Sequence, residues 1–302
     1  MLLLVLAAAA LAVAAPARAG AAVRLLTIPY TAHDGRARQA TVVLPSWYGP
    51  RRHPSIPLVI SPHGRNATPL QNALRWGDLP GVGRFAVVNP EGQGRKLTLD
   101  SWGAPGEIRD LSRMPQILRS VLPWLHVDRA RVYAIGDSMG GQEVLLLAAR
   151  YPSLLAGAAA FDAPANLASR YGAFAQLSGH ARLRKLLAYE VGGPPWLDPR
   201  AYALRSPLSW ARELAFSNLP LQIWWSRRDQ IVRDQAHQSG LLFRRIMALN
   251  HRAPVEQYIG YWLHGKELRK ELPVALRDFG LAPPFRGVPN EPDFGRTTIV
   301  RP

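Results

Sequence analysis

The chain has 302 residues, of which 48% are hydrophobic and 19% are charged, so it fits one large domain with a sizeable core and a globally disordered chain is excluded. It contains no cysteine, which excludes disulfides, thiolate chemistry and a cysteine-based zinc site. The net charge of +16 comes mostly from scattered arginines without a long basic run, so we interpret it as a solvated surface and expect no nucleic-acid partner. A basic surface that binds nucleic acid or anionic envelope polymers is the alternative.

The N-terminus predicts an export signal. Residues 1–15 are almost entirely Leu, Ala and Val, and Ala17-Arg18-Ala19 matches an A-x-A cleavage site. The apolar run is too short for a comfortable membrane span. We therefore predict a signal peptide over residues 1–19, a secreted, periplasmic or cell-envelope location, and no stable membrane insertion after cleavage. Because no basic residue precedes Arg18, an uncleaved anchor and a misassigned start codon are the alternatives.

Strand and helix patterns alternate along the rest of the chain. The predicted strands are 23–29, 38–44, 58–60, 85–89, 132–135, 157–161, 221–225 and 255–260, and the predicted helices are 71–79, 108–125, 142–150, 234–249 and 266–279. This alternation predicts an α/β domain over residues 20–280, with a mostly parallel sheet and helices on both faces. Residues 281–302, rich in Pro, Gly and Arg, are predicted to be a loosely held tail.

The stretch 163–219 carries no strand signal but contains many aromatic residues and the breaker Gly192-Gly193-Pro194-Pro195. A structureless loop of that length inside a domain would be unusual. We therefore predict a small helical insertion that covers the site like a lid.

The segment Gly136-Asp137-Ser138-Met139-Gly140 matches G-x-S-x-G. It lies between an apolar strand and a helix rich in Leu and Ala, which is the strand–turn–helix context of a nucleophile elbow. Glycines flank the serine because so tight a turn leaves no room for Cβ atoms. The N-terminus of the helix also supplies free N–H groups for a developing oxyanion. We predict that Ser138 is a nucleophile, rather than an incidental serine in a glycine-rich turn.

A serine nucleophile needs a base to remove its proton and an acid to orient that base. In this architecture the acid and the histidine follow the serine in that order, on loops after later strands. Asp229 comes just after the predicted strand 221–225, and His264 comes just after 255–260. We predict that Asp229 is the acid and that His264 is the base.

Other residues compete for these roles. Asp162 is the second candidate for the acid because it directly follows the predicted strand 157–161, whereas Asp234 is expected only to cap a helix. His237 and His251 lie within or at the end of a predicted helix, where a surface histidine is the usual finding.

The oxyanion hole is predicted to combine two backbone N–H groups. One belongs to Met139, the residue after the nucleophile, and the other to the loop after the third predicted strand. Because that loop begins with His63-Gly64, we predict the N–H of Arg65, with Gly64 and Asn66 as alternatives. His63 is expected to brace the loop rather than to act as a base.

The pocket is predicted from two aromatic pairs, Trp224-Trp225 before the acid loop and Tyr261-Trp262 before the histidine. Neighbouring side chains in a strand point to opposite faces, so one of each pair is expected in the core. We predict that Trp262 lines the substrate pocket, with all four aromatic residues in the core as the alternative. No metal-binding spacing such as H-E-x-x-H occurs, so we expect neither a metal nor another cofactor.

The sequence around the elbow also resembles a known family. The run Val127-Asp128-Arg129-Ala130-Arg131-Val132-Tyr133, leading into Gly136–Gly141, resembles the "vDpxRvYxxGxSxGG" pattern of a group of α/β-hydrolase-fold esterases. This group includes polyhydroxybutyrate depolymerases, feruloyl esterases and stand-alone prolyl-oligopeptidase-type catalytic domains. The resemblance covers roughly residues 23–280 and implies an α/β-hydrolase fold with Ser138, Asp229 and His264 as the triad.

The resemblance implies a secreted serine hydrolase that cleaves a small-molecule or oligomeric carboxylic ester through an acyl-enzyme intermediate. A serine peptidase or an envelope acyltransferase with the same triad is the alternative. A non-catalytic binding protein that kept the fold is a third hypothesis, which the presence of all three triad residues disfavours.

Overall fold

The computed structural model describes residues 23–92, 101–177, 179–266, 268–282 and 298–300, so the predicted signal peptide lies outside the described residues. The strands are β1 (Val23–Thr31), β2 (Ala37–Pro45), β3 (Ile56–Ile60), β4 (Ala86–Pro90), β5 (Val127–Asp137), β6 (Gly157–Phe161), β7 (Leu221–Ser226), β8 (Val255–Gly260) and β9 (Thr298–Val300). The helices are α1 (Pro69–Arg75), α2 (Leu79–Gly83), α3 (Pro105–Val121), α4 (Met139–Arg150), α5 (Leu167–Ala173), α6 (His180–Val191), α7 (Pro199–Leu204), α8 (Ala211–Ala215), α9 (Ser239–Leu249) and α10 (Leu268–Asp278).

The nine strands of the described ranges form one sheet in the order β1-β2-β4-β3-β5-β6-β7-β8-β9. Strands β1 and β2 form an antiparallel hairpin, β2 pairs antiparallel with β4, and the six strands from β4 to β8 in this order are parallel. Strands β3, β4, β6 and β7 are buried at every position, as expected for parallel strands that are covered on both faces. The carboxyl ends of the parallel strands meet along one edge, where ligand sites of such sheets lie.

Two hydrophobic clusters cover the two faces of the sheet. In β5, Val132 and Ala134 belong to the cluster under α3, α4, α8 and α9, while Tyr133 and Ile135 belong to the cluster under α1 and α10. This alternation follows from the pleat of the strand. In helix α4, which belongs to the first cluster, every residue is buried except Arg150. Each fully buried leucine there contributes about 1.5–3 kcal/mol.

The predicted insertion between β6 and β7 is helical. Helices α5 to α8 occupy it, and a third hydrophobic cluster joins several of its side chains to Trp102 and Met139. Because Met139 directly follows Ser138, the insertion packs over the nucleophile turn.

The C-terminal segment differs from the predicted loose tail. Thr298–Val300 forms β9, which pairs antiparallel with β8 at the edge of the sheet. A short run of β-branched residues can add to an exposed strand edge, and that pairing partner is distant in sequence. None of the helices in the described ranges is long and apolar enough to cross a bilayer.

Candidate active site

Ser138 stands at the sharp turn between β5 and α4. Its backbone has φ 56° and ψ −124°, which is strained for a residue with a Cβ atom. Two hydrogen bonds hold this conformation: the Ser138 N–H donates to the Phe161 carbonyl at 2.8 Å, and the Ser138 carbonyl accepts from the Gln142 N–H at 3.0 Å. The geometry is that of a nucleophile elbow at the carboxyl edge of the parallel strands.

Close backbone approaches explain the flanking glycines. A Cβ atom on Gly136 would lie 2.7 Å from the carbonyl carbon of Gly140, and one on Gly140 would lie 2.2 Å from the carbonyl oxygen of Pro62. Atoms cannot approach so closely, so only glycine lets α4 pack against β5 and against the loop after β3. The motif therefore reflects the packing of three chain segments as well as the turn itself.

Asp229 and His264 come together as the sequence arrangement predicts. The His264 Nδ1 lies 2.8 Å from the Asp229 Oδ2. The Asp229 carboxylate is buried and also accepts hydrogen bonds from the backbone N–H groups of Ile231 and Val232, both at 2.8 Å, and from the Gln235 side chain at 3.1 Å. Because a carboxylate accepts, Nδ1 carries the ring proton and Nε2 keeps a free lone pair, as a general base requires.

The charges around His264 favour its protonated form. Burial lowers the pKa of His264, but the hydrogen bond to Asp229 and the negative charge of Asp229 raise it. The negative charges of Asp162 and Asp137 raise it further, and the pKa ends above its ordinary value of 6.5. The neutral ring that can accept a proton therefore predominates only above this raised pKa.

Asp162, the competing acid, lies beside this pair but does not hydrogen-bond the ring. Its carboxylate accepts from the Trp262 indole at 2.8 Å, the Gly265 N–H at 3.4 Å and the Ser226 N–H at 3.1 Å. Burial, together with the charge of Asp229, raises the pKa of Asp162 to about 7. Asp162 thus holds both ends of the loop that carries the histidine.

Trp262 does not occupy the predicted pocket position. It is buried in the cluster between the sheet and α10. Its ring packs so closely on Gly260 that a Cβ atom there would lie 1.9 Å from the Trp262 Cζ3. Its indole donates to Asp162, and its carbonyl accepts from the Ser226 hydroxyl. Trp262 therefore supports the histidine loop from the core side. The prediction was wrong because a position two residues before His264 does not determine which way the side chain points.

The loop after β3 lies against the nucleophile. A Cβ atom on Gly64 would lie 3.6 Å from the Ser138 Cβ. The ring of His63 joins two segments, with Nδ1 2.9 Å from the Gly64 carbonyl oxygen and Nε2 2.6 Å from that of Glu91. The N–H groups of Met139 and Arg65 stay the predicted oxyanion donors, on the two segments that flank Ser138.

A pocket of about 310 Å³ opens beside the nucleophile. Ser138, His264 and Arg65 line it, so three residues predicted from the sequence share one cavity. Its apolar wall consists of Phe174, Leu177, Leu183, Leu187, Ile231 and Val232. Most of this wall comes from the insertion, which therefore forms a roof over the site.

The insertion also holds the loop after β3 directly. Arg65 Nη2 lies 2.6 Å from Oε1 of Glu190, a fully buried residue on α6, and the indole of Trp102 donates to the same carboxylate. Sequence reasoning missed Glu190 and the pocket residue Arg170, because neither of them belongs to a motif. From the sequence alone, an arginine or a glutamate within a helix is interpreted as a solvated surface residue.

Comparison with solved structures identifies the fold. A puromycin-hydrolyzing peptidase of Mycobacterium tuberculosis superimposes with a TM-score of 0.67 at 20% identity, over 93% of this chain and 42% of the peptidase. An esterase of Pyrococcus furiosus gives a TM-score of 0.58 at 18% identity, over 85% of this chain and 90% of the esterase. This chain has the α/β-hydrolase fold. An S-formylglutathione hydrolase of Staphylococcus aureus shares the fold, with a TM-score of 0.64 at 14% identity over 86% and 99% of the two chains.

Comparison by sequence matches only part of the chain. No family model matches the chain. A bifunctional acetylxylan esterase/xylanase of Neocallimastix patriciarum is 28% identical over 152 residues, which cover 50% of this chain and 19% of that protein. The chain therefore spans less than half the length of this relative and of the peptidase.

Proposed function

We propose that this α/β-hydrolase is a serine hydrolase that cleaves carboxylic esters through an acyl-enzyme. The proposal rests on one observation above all: the strained Ser138 lines the same pocket as His264, whose Nδ1 lies 2.8 Å from the buried carboxylate of Asp229. Nucleophile, base and orienting acid are the three groups that acyl transfer requires.

In the proposed reaction, Nε2 of His264 takes the proton of the Ser138 hydroxyl while Oγ forms a bond to the substrate carbonyl carbon. The carbonyl oxygen becomes an oxyanion, for which the N–H groups of Met139 and Arg65 are the proposed donors. The bond to the alcohol oxygen then breaks, and the alcohol leaves with the proton from His264. Water repeats the sequence on the acyl-enzyme, which releases the carboxylic acid and restores Ser138.

Several observations favour an ester over a peptide substrate. The pocket volume of about 310 Å³ and its apolar wall suit a small acyl or alkyl group. The esterase of Pyrococcus furiosus matches the chain over 90% of its own length, and the curated relative is named an acetylxylan esterase. A serine peptidase is the second candidate because peptidases share the fold, and an envelope acyltransferase would use the same triad.

We also propose that the protein is exported to the periplasm, the cell envelope or the medium. This proposal rests on the apolar residues 1–15 and the A-x-A site that follows them. It includes no nucleic-acid partner and no stable membrane insertion once the signal is removed. The proposal would be contradicted if the protein were found in the cytoplasm with residues 1–19 still attached.

Labelling with a fluorophosphonate tests the proposed nucleophile. We expect the wild type and the control Ser120→Ala, a change on the exposed side of α3, to be labelled, and Ser138→Ala to stay unlabelled. On p-nitrophenyl esters, Ser138→Ala should lower kcat by on the order of 10³-fold or more without unfolding. Retained activity in a folded Ser138→Ala variant would exclude the mechanism. Faster turnover of peptide amides, or transfer to lipid acceptors, would favour the alternatives.

A further inference from the structure

Arg170 is a buried cation whose guanidinium lacks a full set of partners within the described ranges. It lies on α5 and is 5% exposed, and its Nε and Nη1 atoms are buried without a hydrogen-bond partner among the described residues. Removing a charge from water costs several kcal/mol unless an opposite charge or hydrogen bonds offset it. An arginine held in this state is well suited to bind an anion that arrives from solution.

The position of Arg170 directs this charge toward the reaction site. Its side chain lines the same pocket as Ser138 and His264. The guanidinium carbon lies 4.4 Å from the centre of the Phe174 ring, and this cation–π contact fixes the head group at the pocket wall.

Arg170 remains charged at neutral pH. Burial lowers its pKa, the negative charge of Asp229 raises it, the positive charge of Arg65 lowers it, and the result is about 10. The guanidinium therefore carries its proton near neutral pH.

The other charges of the pocket are already paired. Arg65 is bound to Glu190 at 2.6 Å, and the Asp229 carboxylate is bound to His264 and to three further N–H donors. Among these groups, Arg170 is the cation whose N–H donors are still available, because its Nε and Nη1 have no hydrogen-bond partner within the described ranges. An anionic group on the substrate would accept hydrogen bonds from them.

We propose that Arg170 binds a free carboxylate on the substrate, so that the preferred esters are half-esters of dicarboxylic acids or esters of carboxylate-bearing alcohols. The inference deepens the proposed function, and the statement that the substrate is an ester rests on that function. A guanidinium suits carboxylate or phosphate oxygens equally well by charge and hydrogen bonding. The small volume and the apolar wall favour a carboxylate joined to a short hydrocarbon chain.

The kinetic test compares matched esters. We expect 4-nitrophenyl hemiglutarate to have a higher kcat/KM than 4-nitrophenyl pentanoate, its neutral analogue. A third substrate, 3-acetoxybenzoate, carries the carboxylate on the leaving alcohol instead of the acyl group. Arg170→Gln should lower kcat/KM for the anionic ester about 10-fold or more, mainly through KM, and change that of the neutral ester far less. Arg170→Lys should recover part of the loss.

Arg182→Gln is the matched control because it removes an exposed positive charge from α6 of the same insertion. It should leave the preference for the anionic ester unchanged. Equal losses in the Arg170 and Arg182 variants would mean that the pocket responds only to the general positive field, and that result would overturn the inference.

A binding test does not depend on turnover. In the Ser138→Ala background, titration calorimetry should detect glutarate binding that is tighter than pentanoate binding and that disappears in Ser138→Ala/Arg170→Gln. Inorganic phosphate is the third probe, and phosphate binding tighter than glutarate binding would overturn the assignment to a carboxylate. If neutral esters are cleaved but glutarate does not bind, this inference alone is overturned. If glutarate binds through Arg170 but no ester is cleaved, the proposed function alone is overturned.

The stability of the variants separates a binding role from a structural one. Because Arg170→Gln and Arg170→Met remove a buried charge whose Nε and Nη1 lack hydrogen-bond partners within the described ranges, both should unfold at the same Tm as the wild type or a higher one. Adding glutarate should raise the Tm of the wild type only. A strongly lowered Tm in both variants would show that the guanidinium serves the fold and would contradict the proposed site.

Discussion

At the scale of single residues, the strained backbone of Ser138 has a measurable cost. We expect Ser138→Gly to be more stable than Ser138→Ala, because glycine relieves strain of about 1–3 kcal/mol while its extra backbone entropy costs only about 0.5–1 kcal/mol. A net gain of about 1 kcal/mol corresponds to about 2–4 °C in Tm, which thermal unfolding can resolve. The control Ala188→Gly, within α6, should lower the Tm instead. A Ser138→Gly variant less stable than Ser138→Ala would mean that the turn stores no strain.

The two carboxylates beside His264 should respond differently to neutralisation. Asp162 raises the pKa of His264 by its negative charge, so Asp162→Asn should lower that pKa and shift the acid limb of the kcat/KM profile to lower pH. Its maximal rate should fall much less than that of Asp229→Asn, for which we expect a loss on the order of 10⁴-fold because the ring loses its orientation. Profiles of both variants on one ester check this. A larger loss in Asp162→Asn would transfer the role of the acid to Asp162.

At the scale of elements, α3 and α4 pack two buried carboxyl groups together. Burial and the nearby Glu107 raise the pKa of Glu143 well above its ordinary value of 4.5, and the Glu143 Oε1 has no hydrogen-bond partner among the described residues. Since Glu143 binds its proton more tightly in the folded state, its contribution to stability falls as the pH rises from about 4.5 to the raised pKa.

Glu143→Gln removes this dependence while keeping the shape of the side chain. We expect its Tm to exceed that of the wild type at pH 8, with the difference vanishing near pH 4, where both states of the wild type are protonated. Thermal unfolding across this range measures the difference directly. Glu213→Gln, on α8, is the control on a carboxylate at the surface, and a Glu143→Gln curve parallel to the wild type would contradict the buried neutral acid.

At the scale of the whole molecule, the sequence predicts much of the fold because its signals are local. Apolar runs predict the parallel strands, and the carboxyl ends of such strands share one edge, so Ser138, Asp229 and His264 are expected there. The direction of the Trp262 side chain and the pairing of Thr298–Val300 depend on contacts that are remote in sequence. Arg170 and Glu190 had no signal because their roles arise only when the insertion folds over the pocket.

The carboxylate of Glu190 joins the insertion, which covers the pocket, to the loop after β3. It is fully buried and holds Arg65, whose own N–H is a predicted oxyanion donor, at 2.6 Å. Any outward movement of α6 must break this pair and leave Arg65 without its anchor. In the proposed mechanism, closure of the insertion and positioning of the predicted oxyanion donor Arg65 would then be one degree of freedom rather than two, so a site open to the solvent would lack that donor.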